Sequence, residues 1–283
     1  MFSIVTPSYN SAHYIKRCIG SVKIQKFIPR EHLIMDGMSN DNTLNYFNDC
    51  KKILNHDPSY KLLFKSRTDN GMYDAINNGW SKSSGEILSW LNCDEQYLPN
   101  TLSYVDDIFK KNPLVDVVYG NAIIVDKNGD LISAKKELSL NKFLISNTFL
   151  NIFSCTIFFR RRLWDSGILR LNDELKAAAD MDLILKLLRN KVKMYHCKKY
   201  LSLFVLDGEN KSLQPESLIE TELVRDNYTI LPKKIRHCAK YLRYFLRTIS
   251  GHYRKEFISY DYAVDDIPNY ISKTGLSNGR FKF

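Results

Sequence analysis

Two adjacent carboxylates, Asp94 and Glu95, come directly after the short apolar run Ile87-Leu88-Ser89-Trp90-Leu91. A near-continuous apolar run of that kind predicts a strand buried on both faces. Acids at the end of such a strand stand where open α/β sheets bind ligands, in the crevice beyond the carboxyl ends of the strands. A hard ion such as Mg²⁺ is held there by a few carboxylates together with substrate phosphates. The plainer reading is a pair of solvated acids opening a turn before Pro99, and two acids alone do not decide the matter. The stretch leading up to the strand, Thr68-Asp69-Asn70-Gly71-Met72-Tyr73-Asp74-Ala75-Ile76-Asn77-Asn78-Gly79, reads as a turn and then a helix. Other metal chemistry is not indicated. His13, His32, His56, His196, His237 and His252 form no ligand cluster, and the six cysteines contain no Cys-x-x-Cys pair, so zinc is not expected.

The elements that must position these groups alternate between strand and helix. Residues 2–6 form a strand ended by Pro7, and Ser8-Tyr9-Asn10-Ser11 supplies turn and helix-cap chemistry. Tyr14, Ile15, Cys18, Ile19 and Val22 recur at helical spacing. Residues 32–36 form a second strand ending in Asp36, followed by a polar loop into another helix; residues 60–65 form a third and 87–91 a fourth. Such alternation predicts a mostly parallel sheet, an α/β fold. Three successive strands ending in polar or acidic loops fit one nucleotide-sized site along one sheet edge. Further on, 99–111 reads as a helix, 115–119 as a strand, and 123–132 as a hairpin turning at Asn128-Gly129. Ile157-Phe158-Phe159 reads as buried, 177–189 as a helix opened by Asp180 and Asp182, and 192–195 and 200–206 as two more strands.

With 283 residues, 44% hydrophobic and 25% charged, the chain has the composition of an ordinary globular protein. The N-terminus lacks the basic and apolar regions of a signal peptide, and no run approaches the roughly 20 apolar residues of a membrane span. The expectation is a cytoplasmic protein with reduced thiols. The net charge of +10 gathers toward the C-terminus, in Lys233, Lys234, Arg236, Lys240, Arg243, Arg247, Arg254 and Lys255.

Four blocks in order resemble the family 2 glycosyltransferases, which have the GT-A fold and use nucleotide-sugar donors. They are Ser3-Ile4-Val5-Thr6-Pro7-Ser8-Tyr9-Asn10; Ile34-Met35-Asp36-Gly37-Met38-Ser39-Asn40-Asp41-Asn42-Thr43; Asp69 to Asn77 and on through Asp94; and Ala178-Ala179-Asp180-Met181-Asp182-Leu183. The likeness covers about the first 210 residues, and the Tyr73-Asp74-Ala75-Ile76-Asn77 form of the third block resembles bacterial enzymes of surface-polysaccharide synthesis. The resemblance implies roles. Thr6, Pro7 and Tyr9 would line the base pocket, and Asp36 would accept from the ring N–H of the base; the plainer alternative makes Tyr9 core and Asp36 a helix cap. Asp94 matches the last acid of the family's Asp-x-Asp motif, in which Asn92 replaces the first acid; with Cys93 between them and Glu95 after, Asp94 and Glu95 would bind Mn²⁺ or Mg²⁺ at the diphosphate. Asp69 and Asn77 would shape the donor pocket, and Arg67, standing where relatives often carry an acid, would touch phosphate or lie exposed. Asp180 matches the general base of an inverting enzyme, kept ionised by the helix dipole, although Ala179 replaces the usual preceding Glu. Asp182 reads as a helix cap. Asp207 stands where relatives often carry a histidine, which leaves the part played by the loop 204–212 open.

The expected architecture is therefore a GT-A domain over 1–212 with a basic helical extension over 213–283. The expected activity moves a sugar, UDP-linked by expectation, to a saccharide or lipid-linked saccharide in capsule, O-antigen or exopolysaccharide synthesis. A non-catalytic nucleotide-, saccharide- or membrane-binding relative is the alternative. A nucleotidyltransferase would show a glycine-rich basic loop after the first strand, which Thr6-Pro7-Ser8-Tyr9-Asn10 is not. In the extension, Ile235, Ala239, Leu242, Leu246, Ile249 and Tyr253 form an amphipathic stripe. It suits peripheral contact with the inner face of the cytoplasmic membrane; the plainer reading packs it on the catalytic domain or on a second subunit. Nucleic acid is not an expected partner, since no known module accompanies Tyr241, Tyr244 and Phe245.

Overall fold

The computed structural model describes residues 1–25, 28–54, 57–208, 210, 214–264, 269–277 and 279. Strand β1 (Phe2–Ser8) sits inside the sheet because both of its faces are apolar: Phe2 and Ile4 join one core cluster and Val5 the other. It pairs in parallel with β2 (Arg30–Asp36) and β4 (Ile87–Trp90), and β2 pairs in parallel with β3 (Tyr60–Ser66). Helices α1 (Ile15–Lys23) and α2 (Thr43–Leu54) cover the first face with Ile15, Cys18, Ile19, Val22, Phe47 and Cys50. Helix α3 (Met72–Lys82) covers the second with Tyr73, Ile76 and Trp80. Each fully buried side chain of this size contributes about 1.5–3 kcal/mol. The approach of α3 to β1 leaves no spare room: a Cβ on Gly79 would stand 2.4 Å from Val5 Cγ1.

Beyond β4 the sheet is mixed. The chain continues through β5 (Gln96–Tyr97), α4 (Thr101–Lys111), β6 (Val117–Val125), β7 (Leu131–Lys135), α5 (Lys142–Asn147), β8 (Ile157–Arg160), α6 (Arg161–Asp165), α7 (Ala179–Arg189) and β9 (Met194–Val205). Among the described residues the strand order is β3-β2-β1-β4-β8-β6-β9-β5, with β7 paired to β6. β8 runs antiparallel to both neighbours, while β6 and β9 run parallel. The two strands expected over 192–206 are one strand interrupted at Lys198, which takes a φ of 53°. Likewise, 115–119 and 123–125 fall on the single strand β6. Asn121, between the two expected pieces, is buried in β6 with both ends of its amide bonded, to Lys198 O at 3.0 Å and from Glu137 N at 3.0 Å.

The C-terminal segment begins, as expected, with helices: α8 (Pro215–Tyr228) and α9 (Arg236–Ile249). It then forms an antiparallel hairpin, β10 (Glu256–Ala263) and β11 (Tyr270–Ser277), which the sequence reading did not contain. Ile258, Tyr260 and Tyr262 of β10 pack with Ile123, Val125, Leu203 and Val205 of the main sheet. The boundary expected at 212/213, and Glu209, Lys211 and Ser212 of the preceding loop, lie outside the described residues. Packing of the apolar stripe of α9 on the domain needs correction. The buried residues of α9 are Arg236, Ala239, Arg243 and Arg247, whereas Leu242, Phe245 and Ile249 are exposed. Buried hydrogen-bond acceptors on the domain, described below, reverse the usual orientation.

Candidate active site

The loops that follow β1, β2, β3, β4 and β9 meet the N-termini of α3 and α7 around one cavity of about 610 Å³, within the usual range for a small-molecule site. The β1 wall carries Pro7, Ser8 and Tyr9. Its loop is held from outside by the polar residues after β2: Ser39 Oγ accepts from Asn10 N at 2.8 Å, Thr43 Oγ1 from Ser11 N at 2.9 Å and Asp41 Oδ2 from Ala12 N at 3.0 Å. Tyr9 is 65% exposed, a free aromatic face at the cavity and not a core residue. The opposite wall is the start of α3. Gly71 takes a φ of 114°, where a side chain would be strained, and its N–H donates to Asp69 Oδ1 at 2.9 Å.

The turn after β4 separates the two acids. Asp94 lines the cavity. Glu95 is fully buried beneath it, its Oε2 accepting from Asn92 N at 2.8 Å, while burial and the neighbouring Asp94 push its carboxyl up to about 8. Glu95 therefore closes the turn and, against the expectation that both acids would face the site, does not line the cavity as Asp94 does. Cys93 donates through Sγ to Pro7 O at 3.1 Å, and burial pushes its thiol up to about 12, so it serves as wall and not as nucleophile. Asp207 and Asn210, from the loop after β9, line the same cavity, and Tyr14 Oη donates to Asp207 Oδ2 at 3.0 Å.

Among the described residues no three His, Cys, Asp or Glu side chains gather as a metal cluster. The oxygen donors present nevertheless fit a hard divalent ion that keeps water and phosphate in its shell. Burial pushes Asp94 up to about 6, the Asp207 charge adds to the rise, and Arg17 opposes it; a cation would relieve that cost. Asn92 Oδ1 is a buried acceptor with no hydrogen-bond donor among the described residues, and its residue lines the cavity.

Asp180 enters from α7. Its Oδ1 accepts from Met181 N at 2.8 Å, yet burial pushes the carboxyl up to about 6. Loss of water thus raises the carboxyl against the helix-terminal N–H groups, while leaving it mostly ionised at neutral pH. The result is a carboxylate with a proton affinity suited to a base near neutral pH. The buried Tyr73 phenol lies against the main chain of Ala179 and Asp180. Asp182 does not cap its helix but takes the Tyr228 hydroxyl at 3.0 Å.

Several expected site residues lie outside the cavity. Thr6 is fully buried, with Oγ1 2.8 Å from His32 Nε2. Asp36 is buried and occupied by Ser39 N at 3.1 Å, Ser39 Oγ at 2.5 Å and Ser66 Oγ at 2.6 Å, so it clasps two loops and neither lines the cavity nor caps a helix. Asn77 is also buried, exchanging two hydrogen bonds with the main chain of Leu171 at 2.8 and 3.1 Å. Arg67 is absent from the described lining. One residue that sequence reasoning missed is Glu220 of α8, whose carboxylate accepts from the main-chain N–H groups of residues 176–178 just before Asp180. Nothing in its sequence context signals this, because its partners are backbone groups.

A family model described as Glycosyl transferase family 2 matches residues 3–167. The PGL/p-HBAD biosynthesis glycosyltransferase of Mycobacterium tuberculosis is 30% identical over 191 residues, covering 67% of this chain and 70% of its own length. An uncharacterized glycosyltransferase of Rickettsia conorii is 28% identical over 198 residues, which is 67% of this chain and 31% of the relative, so the chain spans about a third of that protein. Among solved structures, S. aureus TarS 1–349 in complex with UDP-GlcNAc aligns with a TM-score of 0.63 at 21% identity, covering 89% of this chain and 75% of that one. The mannosyltransferase PcManGT from Pyrobaculum calidifontis, in complex with GDP-Man and Mn²⁺, aligns with a TM-score of 0.61 at 16% identity, covering 86% and 69%. At these identities the structural likeness establishes the GT-A fold. With more than half of its length matched by the family model and that fold in place, the chain belongs to glycosyl transferase family 2.

Proposed function

We propose that the protein transfers a sugar from a nucleoside diphosphate donor, UDP-linked in the first instance, to a saccharide or lipid-linked saccharide hydroxyl in bacterial surface-glycan synthesis, with inversion at the anomeric carbon. The observation that carries this reading is that Asp94 with Asp207, and separately Asp180, line a single cavity. UDP-GlcNAc bound by TarS and GDP-Man bound by PcManGT support the donor class, and the mycobacterial relative, a PGL/p-HBAD biosynthesis glycosyltransferase, supports sugar transfer within a biosynthetic pathway.

Tyr9 offers its ring to the base. Asp94, Asp207 and Asn92 Oδ1 would hold Mg²⁺ or Mn²⁺, which supplies charge neutralisation at the departing diphosphate. Asp69 and the main chain at Gly71 shape the sugar side. Asp180 takes the proton of the acceptor hydroxyl as its oxygen bonds the anomeric carbon and the bond from that carbon to the diphosphate breaks. No covalent enzyme intermediate is required.

Thermal stabilisation by UDP, GDP, CMP and dTDP, each with Mn²⁺, Mg²⁺ or EDTA, tests the donor site. A ligand at a hundred times its Kd adds about 2.7 kcal/mol. A metal-dependent rise with one diphosphate supports the reading; no rise with any nucleotide overturns it. Binding without release of the diphosphate in the presence of sugar donor and candidate acceptors favours the non-catalytic alternative, which Asn92 in place of an acid and Ala179 in place of Glu motivate.

A further inference from the structure

Helix α9 is turned the opposite way from an ordinary surface helix. Its inward stripe is cationic, and each arginine has specific partners. Arg236 reaches Glu222 at 3.1 Å and Asp226 at 2.5 Å; Arg243 reaches Thr148 Oγ1 at 2.6 Å, Phe149 O at 2.7 Å and Asn151 Oδ1 at 3.0 Å; Arg247 reaches Glu137 at 3.4 Å. Buried guanidinium groups require such partners, so these contacts fix the rotation of the helix. The opposite stripe then has to face outward. There Tyr241 is 76% exposed, Phe245 58% and Ile249 63%, with Leu242 also exposed.

We propose that this stripe docks the protein on an anionic phospholipid bilayer, with α9 lying in the interfacial plane and Tyr241, Leu242, Phe245 and Ile249 inserted among the headgroups and upper acyl chains. Charge selects this occupant over a second copy of the chain. The stripe is flanked in the chain by the exposed cations Lys233, Lys234, Lys240, Arg254 and Lys255. Bringing two such faces together would oppose like charges, and the whole chain carries a net charge of +10. Lipid phosphates neutralise the same cations while the acyl region accepts the apolar side chains. The helix has 14 residues, and no helix among the described residues is long and apolar enough to cross a membrane, so the contact is peripheral. This inference does not rest on the sugar-transfer reading, because it uses no residue of the cavity.

Flotation of the full chain with phosphatidylglycerol-containing vesicles and with phosphatidylcholine vesicles tests it. Binding should favour the anionic vesicles and weaken with salt. Replacing the exposed pair, Phe245→Ser with Ile249→Ser, should lower partitioning by about tenfold or more while leaving nucleotide-dependent stabilisation unchanged. Lys233→Gln with Lys234→Gln and Lys240→Gln should remove the preference for anionic lipid. Absence of vesicle binding by the wild-type chain overturns the proposal, as does binding that ignores the Phe245/Ile249 substitutions. A solution dimer dissolved by those substitutions, together with no vesicle binding, assigns the face to self-association instead.

Discussion

Glu220 and Asp180 bracket one turn of backbone: the Glu220 carboxylate accepts from Lys176 N and Ala177 N at 2.7 Å and from Ala178 N at 3.1 Å, and Asp180 follows at the open end of that turn. A residue of α8 thereby sets where the candidate base stands. Glu220→Gln keeps the shape but leaves one acceptor oxygen for three N–H groups. Each charge-assisted bond lost costs about 1.5–3 kcal/mol. The expected outcome is a fall in kcat of about tenfold with donor-dependent stabilisation unchanged. A matching loss of donor binding would instead make Glu220 a general stability residue.

Asp180→Asn should spare donor binding and lower turnover by about 10²- to 10⁴-fold. The wild-type rate should rise with pH along a limb centred near 6, where burial places the Asp180 carboxyl. Stability should move the other way. Between the ordinary value of 3.8 and about 6 the native state holds a proton that the unfolded chain has released, so folding weakens as pH rises through that window. Removing the charge should therefore raise the melting temperature above pH 6, by an equivalent of up to about 3 kcal/mol, and change little below the window. Melting curves of both proteins across that range check the sign.

Asp94→Ala should abolish the divalent-ion dependence of nucleotide stabilisation, and Asp207→Asn should weaken it. Glu95→Gln should keep it, because Glu95 lies beneath the turn and outside the cavity lining. Titration of Mn²⁺ at fixed nucleotide separates the three variants, and loss of metal dependence in the Glu95 variant alone would invert the assignment.

Tyr9→Ala should weaken donor affinity while leaving the fold intact, since the ring is exposed. Stacking of a base on an aromatic ring is worth about 1–3 kcal/mol, which predicts a rise in donor Kd between a few-fold and a hundred-fold, readable by calorimetry with the nucleoside diphosphate.

The strands and helices up to β4 were legible because each is an apolar run bounded by polar turns, and the family resemblance was legible in four short blocks. Roles within those blocks were less so. Asp36 and Glu95 sit at the expected strand ends, but one step of local geometry turns the first into a clasp for Ser39 and Ser66 and the second into a buried tie to Asn92. No spacing rule distinguishes a carboxylate facing a cavity from one facing its own turn. Asp207 and Glu220 act across long sequence separations, with Tyr14 and with the backbone at residues 176–178. The orientation of α9 was left open between membrane and protein because the pattern of apolar and basic residues is symmetric under exchange of inside and outside; partners such as Glu137, Asn151, Glu222 and Asp226 break that symmetry.

The absence of a side chain at Gly79 bears on more than packing. Val5 fills that space, and the two elements it joins carry opposite jaws of the cavity, Pro7 within β1 and Tyr9 just beyond it on one side and Gly71 to Tyr73 at the start of α3 on the other. The gape of the site is therefore gauged by a contact about two helical turns away from it. A methyl group at position 79 would have to displace the Val5 side chain, and so would act as a wedge between β1 and α3 that resets the spacing of the two walls from a residue outside the cavity lining.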